Sequence, residues 1–240
     1  MMRLDKLLAN SGFGSRKDVK KIVKAGAVMI DGEPAKDVKI HVDPDKQDIT
    51  VYGEPAEYRE FIYVMMNKPQ GVLSATEDSR QQTVVDLLTP EEQRFEPFPA
   101  GRLDKDTEGF LLLTNDGQLA HRLLSPKKHV PKTYEVRLAS PLSPEDIIDL
   151  ERGVVIEGGY KTKPAAVKTI TESPDETVIH LTITEGKYHQ VKLMAKAVGN
   201  EVAYLKRLSM GAVSLDPELK PGEFRELTEE ELAALKDAEM

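Results

Sequence analysis

The chain contains no cysteine in 240 residues. That excludes disulfides, thiolate nucleophiles and cysteine-bound zinc, and it fits a reducing compartment. No apolar stretch approaches the length that spans a bilayer. Met1-Met2-Arg3-Leu4-Asp5-Lys6 carries an acid and no long apolar run, so no signal peptide is expected and the expected address is cytoplasmic. A glycine-rich phosphate loop is missing. His121, His129 and His189 show neither His-x-x-x-His nor His-Glu-x-x-His spacing, so they read as surface or RNA-contacting side chains and no metal is expected.

What is present is an uneven charge distribution. The net charge is −8, yet residues 1–40 hold nine Lys/Arg against five Asp/Glu, a net of +4, and the other 200 residues hold 24 against 36, a net of −12. A basic module on an acidic body is implied, and a polyanion would meet the basic end first. Leu4, Leu7 and Leu8 have helical spacing, which predicts a short helix over 3–10. Ser15 is a candidate N-cap for a second helix, with Val19, Ile22 and Val23 on its apolar face and Gly26 past its end. Its polar face carries Arg16, Lys17, Lys20, Lys21 and Lys24, and a lysine-rich face is by default a solvated one. Strands are expected around Val28–Ile30 and Ile49–Val51, with Asp31-Gly32 as a hairpin turn. The stretch from Gly53 to Glu60 lacks apolar periodicity and reads as a linker.

The body begins with a predicted strand over Phe61–Met66 and a tight Pro-Gly turn at Asn67-Lys68-Pro69-Gln70-Gly71. Thr83–Leu88 is apolar, with helix and strand both open. The charged stretch Gly101-Arg102-Leu103-Asp104-Lys105-Asp106 precedes Phe110–Thr114, which reads as a short buried strand ended by a turn at Asn115-Asp116-Gly117. A helix is predicted over Gln118–Leu124 and a half-buried alternating strand over Lys132–Leu138. A helix capped by Ser143 with Pro144 at its first position should stop at Gly153. Strands follow at Val154–Ile156, Ala165–Ile170 and Thr177–Thr184. A helix over Tyr188–Val198 should close at Gly199, with short strands near Val202–Leu205 and Ala212–Leu215. Thr228-Glu229-Glu230-Glu231 is a capping box that opens a last helix. Strand runs mixed with isolated helices predict an α+β class with a mixed, mainly antiparallel sheet.

Asp104 and Asp106 are carboxylates in a loop that leads into a buried strand, where functional groups tend to sit. As plain sequence they are also ordinary turn formers. Two carboxylates could serve a glycosidase, although in an extended loop residues two apart would point oppositely. Tyr134 reads as a strand tyrosine and Lys192 as a helix-surface lysine.

In the order Lys68-Pro69-Gln70-Gly71, Gly101-Arg102-Leu103-Asp104, Lys132-Thr133-Tyr134 and Glu185-Gly186-Lys187 with Gln190-Val191-Lys192, the body resembles the RsuA-type ribosomal RNA pseudouridine synthases. Arg3–Leu8, Ser15-Arg16, Lys24–Val28 and Ile30-Asp31-Gly32 resemble the S4 RNA-binding domain. The resemblance implies an S4 domain over 1–55, a linker over 56–60 and a catalytic domain over 61–240. It implies three catalytic residues: Asp104 as the carboxylate, Lys192 in the place of the family's basic partner, and Tyr134, which stacks on the target base and assists proton removal from C5. Arg102, Ile183 and Gln190 would contact the substrate nucleotide, and Arg3, Arg16, Lys17, Lys20 and Lys24 would contact phosphates. Lysine at 192, where much of the superfamily has arginine, gives up bidentate geometry. The form Tyr188-His189-Gln190-Val191-Lys192 resembles the branch acting on small-subunit 16S ribosomal RNA, with large-subunit RNA as the alternative. The implied reaction moves a uracil from N1 to C5 attachment without redox change, so no cofactor is required. The implied partner is ribosomal RNA, small-subunit RNA or an assembly particle, with no membrane and a monomeric protein. A ribosome-assembly factor that binds RNA without catalysis is the other reading.

Overall fold

The computed structural model describes residues 1–56, 58–173 and 177–237. It divides into two compact units, Met1–Ile62 with Leu88–Pro97, and Tyr63–Leu87 with the chain from Phe98 onward.

The first unit opens with the Leu4–Asn10 helix, whose Leu4, Leu7 and Leu8 are fully buried. The Arg16–Lys24 helix starts in a reciprocal cap: the Ser15 hydroxyl accepts from the Asp18 amide and the Asp18 carboxylate accepts from the Ser15 amide. Val19 and Val23 turn inward, and Gly26 takes the left-handed conformation (φ 73°) past the last turn. Val28–Ile30 pairs with Glu33–Pro34 across the Asp31-Gly32 turn and with Ile49–Val51 on its other edge. The expected linker is partly strand. Glu54–Pro55 pairs back on Thr50–Val51 across a turn at Tyr52-Gly53, both with positive φ. A two-residue strand is too short to show periodicity, so its only sequence signal was the turn itself. Glu57 of that linker lies outside the described residues.

The second unit is built on a nine-stranded sheet. Its order is Ala166–Glu172, Thr177–Ile183, Lys132–Leu138, Val202–Met210, Glu108–Thr114, Tyr63–Lys68, Phe224–Glu226, with Phe98–Pro99 and Val213–Ser214 attached at the side. Among the described strands of this sheet only Val202–Met210 and Glu108–Thr114 run parallel. The sheet is therefore mixed and mainly antiparallel. Glu108–Thr114 is central, and Phe110 to Thr114 are fully buried, which is why they read as an unbroken apolar run. Lys132–Leu138 alternates, with Lys132, Tyr134, Val136 and Leu138 inward.

Several bounds differ from expectation. The strand expected over Phe61–Met66 is Tyr63–Lys68, because polar Asn67 and Lys68 complete the ladder opposite Phe110 and Gly109. Both are buried, and the Asn67 Nδ2 donates to the Leu219 carbonyl. Val85–Leu87 in the open segment is a 3-10 turn. The strand expected near Val202–Leu205 runs on to Met210, since buried Arg207 continues the ladder where its charge broke the apolar pattern. The expected Tyr188–Val198 helix spans only Gln190–Ala197.

Candidate active site

The loop carrying Asp104 is a turn. The Thr107 amide donates to the Asp104 carbonyl at 3.0 Å. The turn brings Asp104 and Asp106 to the same side, against the expectation for an extended loop. Lys192 Nζ donates to Asp104 Oδ2 at 3.0 Å and to Asp106 Oδ1 at 2.6 Å. The two aspartates thus share one ammonium that comes from a helix 88 residues away from Asp104.

Charge pairing dominates the electrostatics. Burial pulls the Lys192 ammonium down, but its hydrogen bonds to Asp106 and Asp104 outweigh that and hold it above the ordinary lysine range. The hydrogen bond from Lys192 holds Asp106 below the usual carboxylate range. The Asp104 side chain is about a quarter exposed (26%), so it is neither sealed off nor fully solvated.

Lys68 positions the loop from beneath. Its side chain is fully buried, and its Nζ donates to the carbonyls of Pro69 at 2.9 Å, Asp104 at 3.1 Å and Thr107 at 2.9 Å. Burial pushes this amine down to about 8, against the attraction of Asp106, Asp104 and Glu108. The Ser74 hydroxyl bonds both the amide and the carbonyl of Leu103, and the Gly71 amide donates to the Lys105 carbonyl at 2.7 Å. So the Lys-Pro-x-Gly turn and its neighbour Ser74 satisfy the backbone of the aspartate loop and fix its path. Sequence reasoning noted the turn but gave Lys68 no role. A cation closing an apolar strand was the available signal.

The opposite wall is fixed by Glu185. This buried carboxylate accepts from Gln190 Nε2 at 2.6 Å, from the Tyr160 hydroxyl at 2.7 Å and from the Lys163 amide at 3.0 Å. Burial alone would raise Glu185, yet these donors hold it below its ordinary range. Gln190 is itself buried and its Oε1 accepts from the Lys187 amide at 2.8 Å, so both ends of this amide are occupied within the protein. This network sets the entry to the Gln190–Ala197 helix, which carries Lys192. At the entry His189 has φ 51°, and its Nε2 lies 3.4 Å from Asp104 Oδ1. His189 was expected as a surface or RNA-contacting side chain; its approach to Asp104 has no local sequence signal.

One transverse row of the sheet crosses behind the loop: Leu181, Tyr134, Arg207, Gly109 and Lys68 are successive register partners. Tyr134 is buried in this row, three strands from Lys68. Ile183 pairs with Lys132 in the next inward-facing row and is also buried. Arg102 is exposed. Gly109 (φ 104°) allows the close approach of two strands, since a Cβ there would run into the backbone of Arg207. In the first unit, Arg16, Lys17, Lys20 and Lys24 are exposed on one stretch of helix, with Arg16 loosely paired to Glu96 at 3.8 Å. Arg3 is held by both oxygens of Asp5, at 3.1 and 2.6 Å. Among the described residues no group of three or more His, Cys, Asp or Glu side chains is placed to hold a metal ion, and no helix is long and apolar enough to cross a membrane.

Residues 62–197 match the family described as RNA pseudouridylate synthase, and residues 2–48 match the S4 domain. The chain is 82% identical over 236 residues to YtzG of Bacillus subtilis (strain 168), described as an uncharacterized RNA pseudouridine synthase, with 98% of this chain and 99% of that protein covered. It is 41% identical to ribosomal small subunit pseudouridine synthase A of Escherichia coli (strain K12), covering 98% of this chain and 100% of that one. A crystal structure of a pseudouridylate synthase is similar with a TM-score of 0.67 at 38% identity, covering 98% of this chain and 100% of the other. With family and fold in agreement along its whole length, the chain belongs to the RNA pseudouridine synthases and carries an S4 domain at its N-terminal end.

Proposed function

We propose that the protein isomerises one uridine of small-subunit ribosomal RNA to pseudouridine, with Asp104 as the catalytic carboxylate. The observation that carries this reading is the 3.0 Å ion pair between Asp104 and Lys192, joined from distant parts of the chain and left partly open to solvent. The ammonium places positive charge against the carboxylate that the chemistry uses, whether the aspartate adds to the base or a glycal-type path is followed. The C1′–N1 bond breaks and a C1′–C5 bond forms. The proton lost from C5 is balanced by one gained at N1, so no oxidant, reductant or cofactor enters.

Tyr134 supplies a flat face for the unstacked base and Ile183 an apolar side, while Arg102 holds the extruded nucleotide. Extrusion costs a few kcal/mol, about what stacking on an aromatic ring and phosphate contacts return. Lys17, Lys20, Lys24 and Arg16 bind phosphates of the same RNA without reading its bases. The small-subunit target is favoured over the large-subunit one by the similarity to a small-subunit synthase along the full length of both chains. A glycosidase is disfavoured because it needs one carboxyl kept protonated, whereas both aspartates here bond one ammonium and Asp106 is held low.

Two measurements test the proposal. Pseudouridine is mapped in ribosomal RNA from cells with and without the protein, and one small-subunit position should lose the modification. Asp104→Asn should then lower the rate by roughly 10³-fold or more while RNA affinity stays within a few fold. A variant that keeps its rate, or a map changed only in large-subunit RNA, overturns the corresponding part.

A further inference from the structure

Tyr188 stands apart from the other aromatic side chains of the second unit. It is 78% exposed, yet its ring stacks on His189 with centroids 3.8 Å apart and planes 18° from parallel. A tyrosine that merely faces solvent has no such constraint. The stack exists because His189 adopts the left-handed conformation (φ 51°), which a side-chain-bearing residue holds only at a cost. That backbone is enforced by the Glu185–Gln190–Lys187 network on its N-terminal side and by the helix that begins at Gln190. The stacked histidine reaches Asp104 Oδ1 at 3.4 Å with its Nε2. An aromatic face, 78% exposed, is thus stacked on the residue that approaches the proposed catalytic carboxylate. The Lys187 ammonium, from the residue preceding Tyr188, lies 4.5 Å over the Tyr160 ring.

We infer that Tyr188 and His189 form a second base-binding subsite, distinct from Tyr134, which takes the nucleobase next to the target uridine. The inference rests on the reading above that a uridine is extruded toward Asp104. Extrusion removes a stacking partner from each neighbouring base, and a flat ring at the edge of the site replaces one of them. The ligand is any unstacked base, since a π-face carries no sequence information. His189, between the platform and the carboxylate, is a positioning residue: stacking above it presses its ring toward Asp104.

The test uses the full-length protein and a stem-loop RNA cut from the position found by pseudouridine mapping, with 2-aminopurine placed in turn on either side of the target uridine. The Asp104→Asn protein holds this RNA without turnover. Binding should quench the probe at one flanking position. Adding Tyr188→Ala should restore the fluorescence and weaken RNA affinity by roughly tenfold, the scale of one base–ring stack. Tyr188→Phe should behave as the parent. In the Asp104 background Tyr188→Ala should raise KM more than it lowers kcat. Tyr188 is exposed, so folding is kept, and matched melting curves check it. Equal quenching with and without the ring, or an affinity unchanged within twofold, overturns the subsite alone. If the wild-type protein makes no pseudouridine in this RNA, the reading beneath it fails first, and the two failures are told apart.

Discussion

At the level of single side chains, Lys192 has two jobs, which two substitutions probe. It charges the site and it sets the distance between Asp104 and Asp106. Lys192→Met removes the charge and leaves two carboxylates facing each other; the turnover of a pseudouridine assay should fall by roughly 10²-fold or more. Lys192→Arg keeps the charge, and its fork can span both aspartates, so most of the loss should be recovered. A methionine variant as active as the arginine one would show that charge is not what the position supplies.

Lys68 yields a second prediction at this scale. Burial lowers its pKa to about 8 from 10.5. Above pH 8 the amine loses one of the donors that hold the carbonyls of Pro69, Asp104 and Thr107, so kcat/KM should decline on the alkaline side of pH 8. Stability moves the other way. Between pH 8 and 10.5 the unfolded chain binds this proton and the folded chain does not, so the group's contribution to stability rises with pH. Lys132 is also driven to about 8, by burial and then by Arg207. The decline in rate should therefore be measured in Lys132→Met as well, and it should persist there. A rate that falls only in step with the melting temperature would count against this account.

At the level of elements, the site depends on two strands approaching more closely than side chains allow. Glu108–Thr114 meets Val202–Met210 at Lys206 and Arg207, the one parallel pair among the described strands, and Gly109 sits at the contact. Gly109→Ala adds a methyl against backbone at φ 104°, where neither the neighbour nor the dihedral can yield. The cost should be roughly 2–5 kcal/mol, seen as a melting temperature lower by roughly 5–15 °C. Because the same row leads to Tyr134 and Lys68, the surviving folded protein should also lose rate. Much of this architecture could be read in advance. Capping residues Ser15, Ser143 and Thr228 each open the helix they were expected to open, and the Lys132–Leu138 alternation is matched by its burial. The two strands that ran past their expected C-terminal ends share a cause: Lys68 and Arg207 are buried cations in strands, and a hydrophobic pattern stops at polar residues even where the ladder does not.

At the level of the whole molecule, the basic excess is confined to the first forty residues, where the Arg16–Lys24 helix lies, and the remainder of the chain is acidic. If Arg16, Lys17, Lys20 and Lys24 contact phosphates, replacing them with glutamine should weaken RNA binding at low salt. It should also flatten the slope of log K against log salt by roughly one for each phosphate no longer neutralised. Their exposure means that melting should not change. Arg3 is expected to contribute less than these four, because Asp5 already holds its guanidinium at 2.6 Å. An unchanged salt slope would remove the helix face from the RNA interface.

The sequence by itself determined most of the order of elements, the basic excess in the first forty residues, and the family motifs on which Asp104, Tyr134 and Lys192 lie. These are local properties: periodicity, capping and turn chemistry act over a few residues and leave their mark there. Only the tertiary structure decided that Asp106 shares the ammonium with Asp104, that Lys68 holds the loop from below, and that His189 leans on the carboxylate with Tyr188 stacked upon it. Each of these joins groups tens of residues apart or turns on a single backbone dihedral. Such arrangements arise from the packing of strands and loops against one another, and no stretch of sequence short enough to inspect contains both partners.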